Sequence, residues 1–95
     1  MEVVVKLSRS DNQPWGFRLS GGVDFCFPLT VVRVALGGLA DQAGVKAGDV
    51  VFKVNGETVQ HLRHCDVHDR LVKAGNEFTL NVLRNLKFER TIKQE

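Results

Sequence analysis

Only one stretch of this chain, from about Arg63 to Ala74, spaces its apolar residues as a helix would; almost everywhere else they alternate or stop at glycine. Val67, Leu71 and Ala74 stand at i, i+4 and i+7, and Gly75 is placed to end the helix in a conformation that glycine tolerates. One amphipathic helix has one apolar face, and in so short a chain that face has only β-structure to pack against. The fold expected is therefore mainly β, with this helix as its cover.

The alternating stretches supply the strands. Val3, Val5 and Leu7 alternate within residues 2 to 7, and Ser10-Asp11-Asn12-Gln13-Pro14 then has the residues of a turn. Trp15, Phe17 and Leu19 alternate into a second strand that Gly21-Gly22 closes, and a third fits Leu29 to Val34. After Gly37-Gly38, the good helix formers from Leu39 to Ala43 make about one turn, closed by Gly44. Val50 to Val54 reads as a fourth strand, Asn55-Gly56 as a two-residue hairpin turn, and Thr58 and Val59 as a short fifth. Phe78, Leu80 and Val82 alternate into the last. This order predicts one long and one short helix on a small, partly open antiparallel barrel or sandwich.

With 95 residues the chain holds one modest core, so residues 1–84 are read as one domain and 85–95 as an extension or linker. Leu86, Phe88 and Ile92 also permit an extra strand there, and Glu95 argues against the tail filling an apolar pocket of its own domain.

Charge and composition exclude several classes of function. Thirteen basic and eleven acidic residues, spread along the chain to a net +2, make no concentrated field for a nucleic acid. No apolar run approaches the roughly 20 residues of a membrane span. The first residues do not read as a signal peptide. Cys26 and Cys65 are too few for a disulfide scaffold and lack CxxC spacing, so a reducing cytoplasm is expected, with each thiol a small apolar filler.

Enzymatic and cofactor chemistry finds no support. Ser8, Ser10 and Ser20 lack a nucleophile-elbow context, and Cys65 beside His64 lacks an orienting third group. The stretch Gly44 to Gly48 lacks phosphate-loop spacing. His61, His64 and His68 invite a zinc site by their spacing, but His61 falls ahead of the helix and no further ligand is evident. No enzyme, metal or cofactor is expected.

Two segments carry a family resemblance. Pro14-Trp15-Gly16-Phe17, between the first two strands, resembles the carboxylate-binding loop of PDZ domains, which usually reads Gly-Leu-Gly-Phe. The stretch from Gly38 to Val51, followed by Val54-Asn55-Gly56, resembles that family's central segment, and the likeness runs from Val3 to about Arg84. Arg18-Leu19, Gly21-Gly22, Asp24-Phe25 and Pro28-Leu29 add a likeness to the PDZ domains of PDZ-LIM proteins of the ALP and Enigma type. The helix departs from that subfamily, with His64-Cys65-Asp66-Val67-His68 where it usually shows His-Leu-Glu-Ala-Gln.

The resemblance implies a module that binds the free C-terminus of another protein in extended form. Physical reasoning gives the same site a shape: a peptide added beside the second strand, with the helix flank bearing His64, His68 and Leu71 as the opposite wall. Backbone N–H groups of Trp15, Gly16 and Phe17 would meet the carboxylate, and Phe17, Leu19 and Leu71 would enclose a terminal Leu, Ile or Val. His64 resembles the family's specificity histidine, which implies Ser or Thr two residues before the ligand's end. His68 lies beside it on that wall, and Arg18 and Arg33, if outward, would favour acidic residues elsewhere in the tail. The subfamily likeness points to a cytoskeletal scaffold or adaptor with α-actinin-like partners. Two alternatives stand beside it: a PDZ-type regulatory domain of a larger enzyme, and an anionic-membrane surface formed by Lys46, Arg63, Lys73 and Arg84.

Overall fold

The structure, a computed structural model, describes residues 1–11 and 13–84. The readings of residues 85–95 as a linker or extra strand lie outside it. In chain order the elements are β1 (Glu2–Ser8), β2 (Phe17–Ser20), β3 (Thr30–Val34), α1 (Leu39–Ala43), β4 (Val50–Val54), β5 (Glu57–Thr58), α2 (His64–Ala74) and β6 (Glu77–Leu83). All pairings are antiparallel, in the order β1-β6-β4-β3-β2, with β5 on β4. β1 and β2 do not pair with each other, so among the described residues the sheet is not a closed barrel and β2 keeps one edge open.

Alternation places the core as expected. Val5 and Leu7 of β1 and Phe78, Leu80 and Val82 of β6 are buried on one face, where they meet Val31, Val51, Val54 and Val67. Register holds the two long strands together, with Val5 opposite Leu80 and Leu7 opposite Phe78. A one-residue slip would turn every one of these side chains to solvent. Asn55 and Gly56 both take positive φ, 52° and 81°, as a primed hairpin turn requires.

Three boundaries differ from the sequence reading. Trp15 precedes β2 because its carbonyl is taken by the Ala40 N–H of α1, at 2.9 Å, rather than by a sheet neighbour. Leu29 and Val59 are buried but fall just outside β3 and β5. Both cysteines correct the expectation of apolar fillers. Cys26 lies exposed in the β2–β3 loop, and Cys65, the second residue of α2, is exposed because Val67 occupies the helix position that faces the core.

One buried charge ties the end of the sheet to the loop before β4. Asp49, 1% exposed, accepts two bonds from Arg84, Nε at 2.8 Å and a terminal guanidinium nitrogen at 2.6 Å, and a third from the Lys46 N–H at 3.0 Å. Arg84 also donates to the Gly44 carbonyl at 2.9 Å. Replacing Arg84 by Met leaves the carboxylate buried without its cation, and we expect chemical denaturation to register a loss of about 2 to 4 kcal/mol. A loss under about 0.5 kcal/mol would reduce the contact to an ordinary surface pair.

Candidate functional site

A cleft of about 740 Å³ runs between the open edge of β2 and one flank of α2. Its closed end is the turn Trp15-Gly16-Phe17, whose peptide orientation is set from behind. The Trp15 carbonyl accepts from Ala40 and the Gly16 carbonyl accepts from Ala35, at 2.9 and 2.8 Å. In a trans peptide the N–H points opposite to the carbonyl, so the Gly16 and Phe17 N–H groups turn away from α1 and β3. Among the described residues no acceptor takes the Trp15 or Gly16 N–H. Adjacent amides left free in this way are of the kind that can receive an anion.

Glycine at 16 makes the turn. Its φ of +83° is a conformation in which a side chain would be strained, although a Cβ there would meet nothing closer than 3.5 Å. Behind the turn, Trp15 packs edge-on against Phe78 of the core, with ring centroids 4.9 Å apart. Arg9 lies over the indole, 4.5 Å from its centroid, and is held by the Asn76 side chain at 2.9 Å and by the Gln13 carbonyl. A cation therefore stands at the closed end of the cleft.

The helix wall follows from the period of α2. Val67 is the residue buried against the sheet, and His64 and Leu71, one turn before and after it, line the cleft with the adjacent His68. His64 is anchored at the helix start: its backbone N–H donates to Asp24 Oδ1 at 3.1 Å, and its Nδ1 lies 3.0 Å from the Gly21 carbonyl oxygen. A carbonyl can only accept, so Nδ1 carries the proton and the neutral ring has Nε2 as a bare acceptor. Arg63, at the helix cap, bonds Asp66 at 3.2 Å and so holds its carboxyl below the usual carboxylate range.

Trp15, Gly16, Phe17, Arg18, Leu19, His64, His68 and Leu71 all line this cleft, as the sequence reading grouped them. Arg33 does not line it, but it stands directly opposite Arg18 in the β2–β3 register, and both are exposed. Arg9, Val67 and Val72 also line the cleft and were not foreseen. Val67 stands on the same apolar stripe as Leu71, and nothing in the local sequence marks Arg9 among thirteen basic residues; only the return of the chain at Trp15 brings it there. Of the four cations weighed as a membrane surface, Arg63 and Arg84 are engaged by Asp66 and Asp49. Among the described residues no helix is long and apolar enough to cross a membrane, and no three His, Cys, Asp or Glu side chains are grouped to hold a metal.

An open sheet edge, a facing helix flank and a turn with free amides give the chain the form of a peptide-binding module. The chain belongs to the PDZ domain family, whose sequence model matches residues 4–83. It is 52% identical over 80 residues to the PDZ and LIM domain protein Zasp of Drosophila melanogaster, covering 84% of this chain and 4% of that protein. It is 42% identical over 71 residues to the human PDZ and LIM domain protein 7, covering 75% of this chain and 16% of the relative. Human PDZ and LIM domain protein 3 is 39% identical over the same length, with 75% and 20% covered. The chain thus spans a fifth or less of the curated relatives it matches. Among solved structures it is similar to the PDZ domain of a choanoflagellate SHANK1 bound to a GIRK3 peptide, with TM-score 0.80, 30% identity and 90% and 94% of the two chains covered.

The strained φ at the turn gives a direct check. Gly16→Ala is expected to cost about 1 to 2 kcal/mol of stability, because alanine resists the left-handed backbone that the turn needs. Thermal unfolding measures it, and an unchanged midpoint would mean that the turn accepts a side chain freely.

Proposed function

We propose that this domain captures the free C-terminal tail of a partner protein, which adds as a strand to the edge of β2 with its carboxylate at Trp15, Gly16 and Phe17. The observation that carries this reading is the anchoring of the Trp15 and Gly16 carbonyls on α1 and at Ala35, which turns the Gly16 and Phe17 N–H groups to the other side, at the end of the cleft that Arg9 also lines. The terminal side chain enters the apolar space among Phe17, Leu19 and Leu71, which suits Leu, Ile or Val. Burying such a side chain contributes roughly 1.5 to 3 kcal/mol.

Specificity upstream follows from alternation. The third residue from the end faces α2, where bare Nε2 of His64 accepts a hydroxyl hydrogen and so favours Ser or Thr, while His68 walls the same side. Side chains of the other parity face outward over Arg18 and Arg33, two opposed cations whose mutual repulsion an acidic residue relieves. A neutral hydrogen bond nets about 1 kcal/mol and a charge-assisted one about 1.5 to 3, so after the ordering of a flexible tail an affinity near micromolar, about −8 kcal/mol, is expected.

The setting proposed is a cytoplasmic scaffold or adaptor of the cytoskeleton, with α-actinin-like tails as first candidates. It rests on the likeness to PDZ and LIM domain proteins and on the matching Pro14-Trp15-Gly16-Phe17 loop. A library of free C-terminal peptides tests partner class and sequence preference together.

Calorimetry on a tail ending in Ser, any residue and Leu tests the mode. The free acid should bind in the micromolar range and its amide at least about tenfold more weakly; equal affinities would overturn the carboxylate site. His64→Ala should weaken Ser- or Thr-bearing tails by about fivefold and barely affect tails with Ala there, whereas equal losses would remove the assigned role. Leu71→Lys should abolish capture with an unchanged circular-dichroism spectrum, and retained micromolar binding would contradict the pocket.

A further inference from the structure

The segment Gly21–Leu29 between β2 and β3 presents two aromatic rings that the fold itself does not cover. Phe25 is 45% and Phe27 40% exposed, and their rings meet edge to face with centroids 5.8 Å apart. The segment is nevertheless tied down. Gly22 N–H donates to Phe27 O at 3.2 Å, Phe25 N–H to Gly22 O at 3.0 Å, and Val23 N–H to Leu62 O at 3.2 Å, while Asp24 takes the first N–H of α2. Gly21 packs so closely on Pro28 that a Cβ would lie 2.2 Å from its carbonyl oxygen. Exposed rings on a braced loop are ready to contact a ligand without a large ordering cost.

Their place relative to the cleft says which ligand. A tail whose carboxylate sits at Trp15–Phe17 must leave past the far end of β2, so it runs antiparallel to β2, with its third-last residue near Leu19 and its fifth-last near Gly21. Alternation returns that fifth-last side chain to the helix side of the tail, the side of His64. Phe25 stands there, its ring centroid 5.7 Å from that of His64 and tilted by 59°.

We propose that Phe25, with Phe27 behind it, forms a further subsite of the groove that takes an apolar side chain four residues before the ligand's terminal residue. The inference rests on the peptide-capture reading and adds to it a preference at a position that the carboxylate turn and His64 do not reach. Asp24, exposed on the same loop, sets an acidic residue at that position against a like charge.

Calorimetry with synthetic free-acid hexapeptides ending in Ser, Gly and Leu, with Leu or Gly four residues before the end, tests it. The wild-type domain should prefer the Leu peptide by roughly three- to tenfold, and Phe25→Ala should shrink that preference below about twofold, while Phe25→Leu retains it. A tetrapeptide with the same ending, too short for the subsite, should bind wild type and Phe25→Ala alike. The subsite is overturned if the preference is absent, if it survives Phe25→Ala, or if Phe25→Ala weakens the tetrapeptide equally, which would mean that the ring acts only through His64. If the tetrapeptide acid fails to outbind its amide, the carboxylate reading falls instead, so the two failures are told apart.

Discussion

The structure depends on how little of its long helix is buried. Val67 alone among the residues of α2 is fully buried against the sheet, while His64 and Leu71 sit half-exposed to either side. Had the helix packed across the β2 edge as well, the sheet would be fully covered and no slot would remain. Because α2 rests on the buried face near Phe78 and β2 is the last strand of the sheet among the described residues, an open edge and a helix flank face one another across a cleft.

Polar bonds fix the margins of that cleft, beside the packing of Val67 and Trp15 on the core. At the closed end, the carbonyls of Trp15 and Gly16 are taken by Ala40 and Ala35, and planar trans peptides then turn the intervening N–H groups into the cleft. At the open end, Asp24 and the Gly21 carbonyl grip the first residue of α2, which supplies the cap that Arg63 does not provide and selects the His64 tautomer. The residues that would read a ligand are thus positioned by backbone groups distant in sequence. Their side-chain identities determine preference, and the chain path determines whether that preference can be expressed.

How much of this was legible beforehand varied with the range of the interaction. The bounds of α1 and β4, the hairpin at Asn55-Gly56 and the inward alternation of β6 are local properties, and each was readable from spacing and glycine placement. Grouping His64, His68 and Leu71 on one flank needed only the helical period. The start of β2 was misplaced at Trp15 because its carbonyl bonds to α1, a partner that no local pattern reveals. Arg9 escaped notice for the same reason, and the cysteines were misjudged because their type is commonly buried while their positions here face water.

The sequence by itself determined the inventory: alternating strands, one helix with a single apolar stripe, and a glycine where a turn needs positive φ. Those are short-range consequences of side-chain sterics and hydrophobic period, which act within a few residues. Only the tertiary structure decided that β2 ends the sheet, that Arg18 faces Arg33, that Phe25 lies against His64 and that Arg84 neutralises Asp49. Such pairings join residues up to dozens of positions apart, and they form only when burial of the shared core has already brought their elements together.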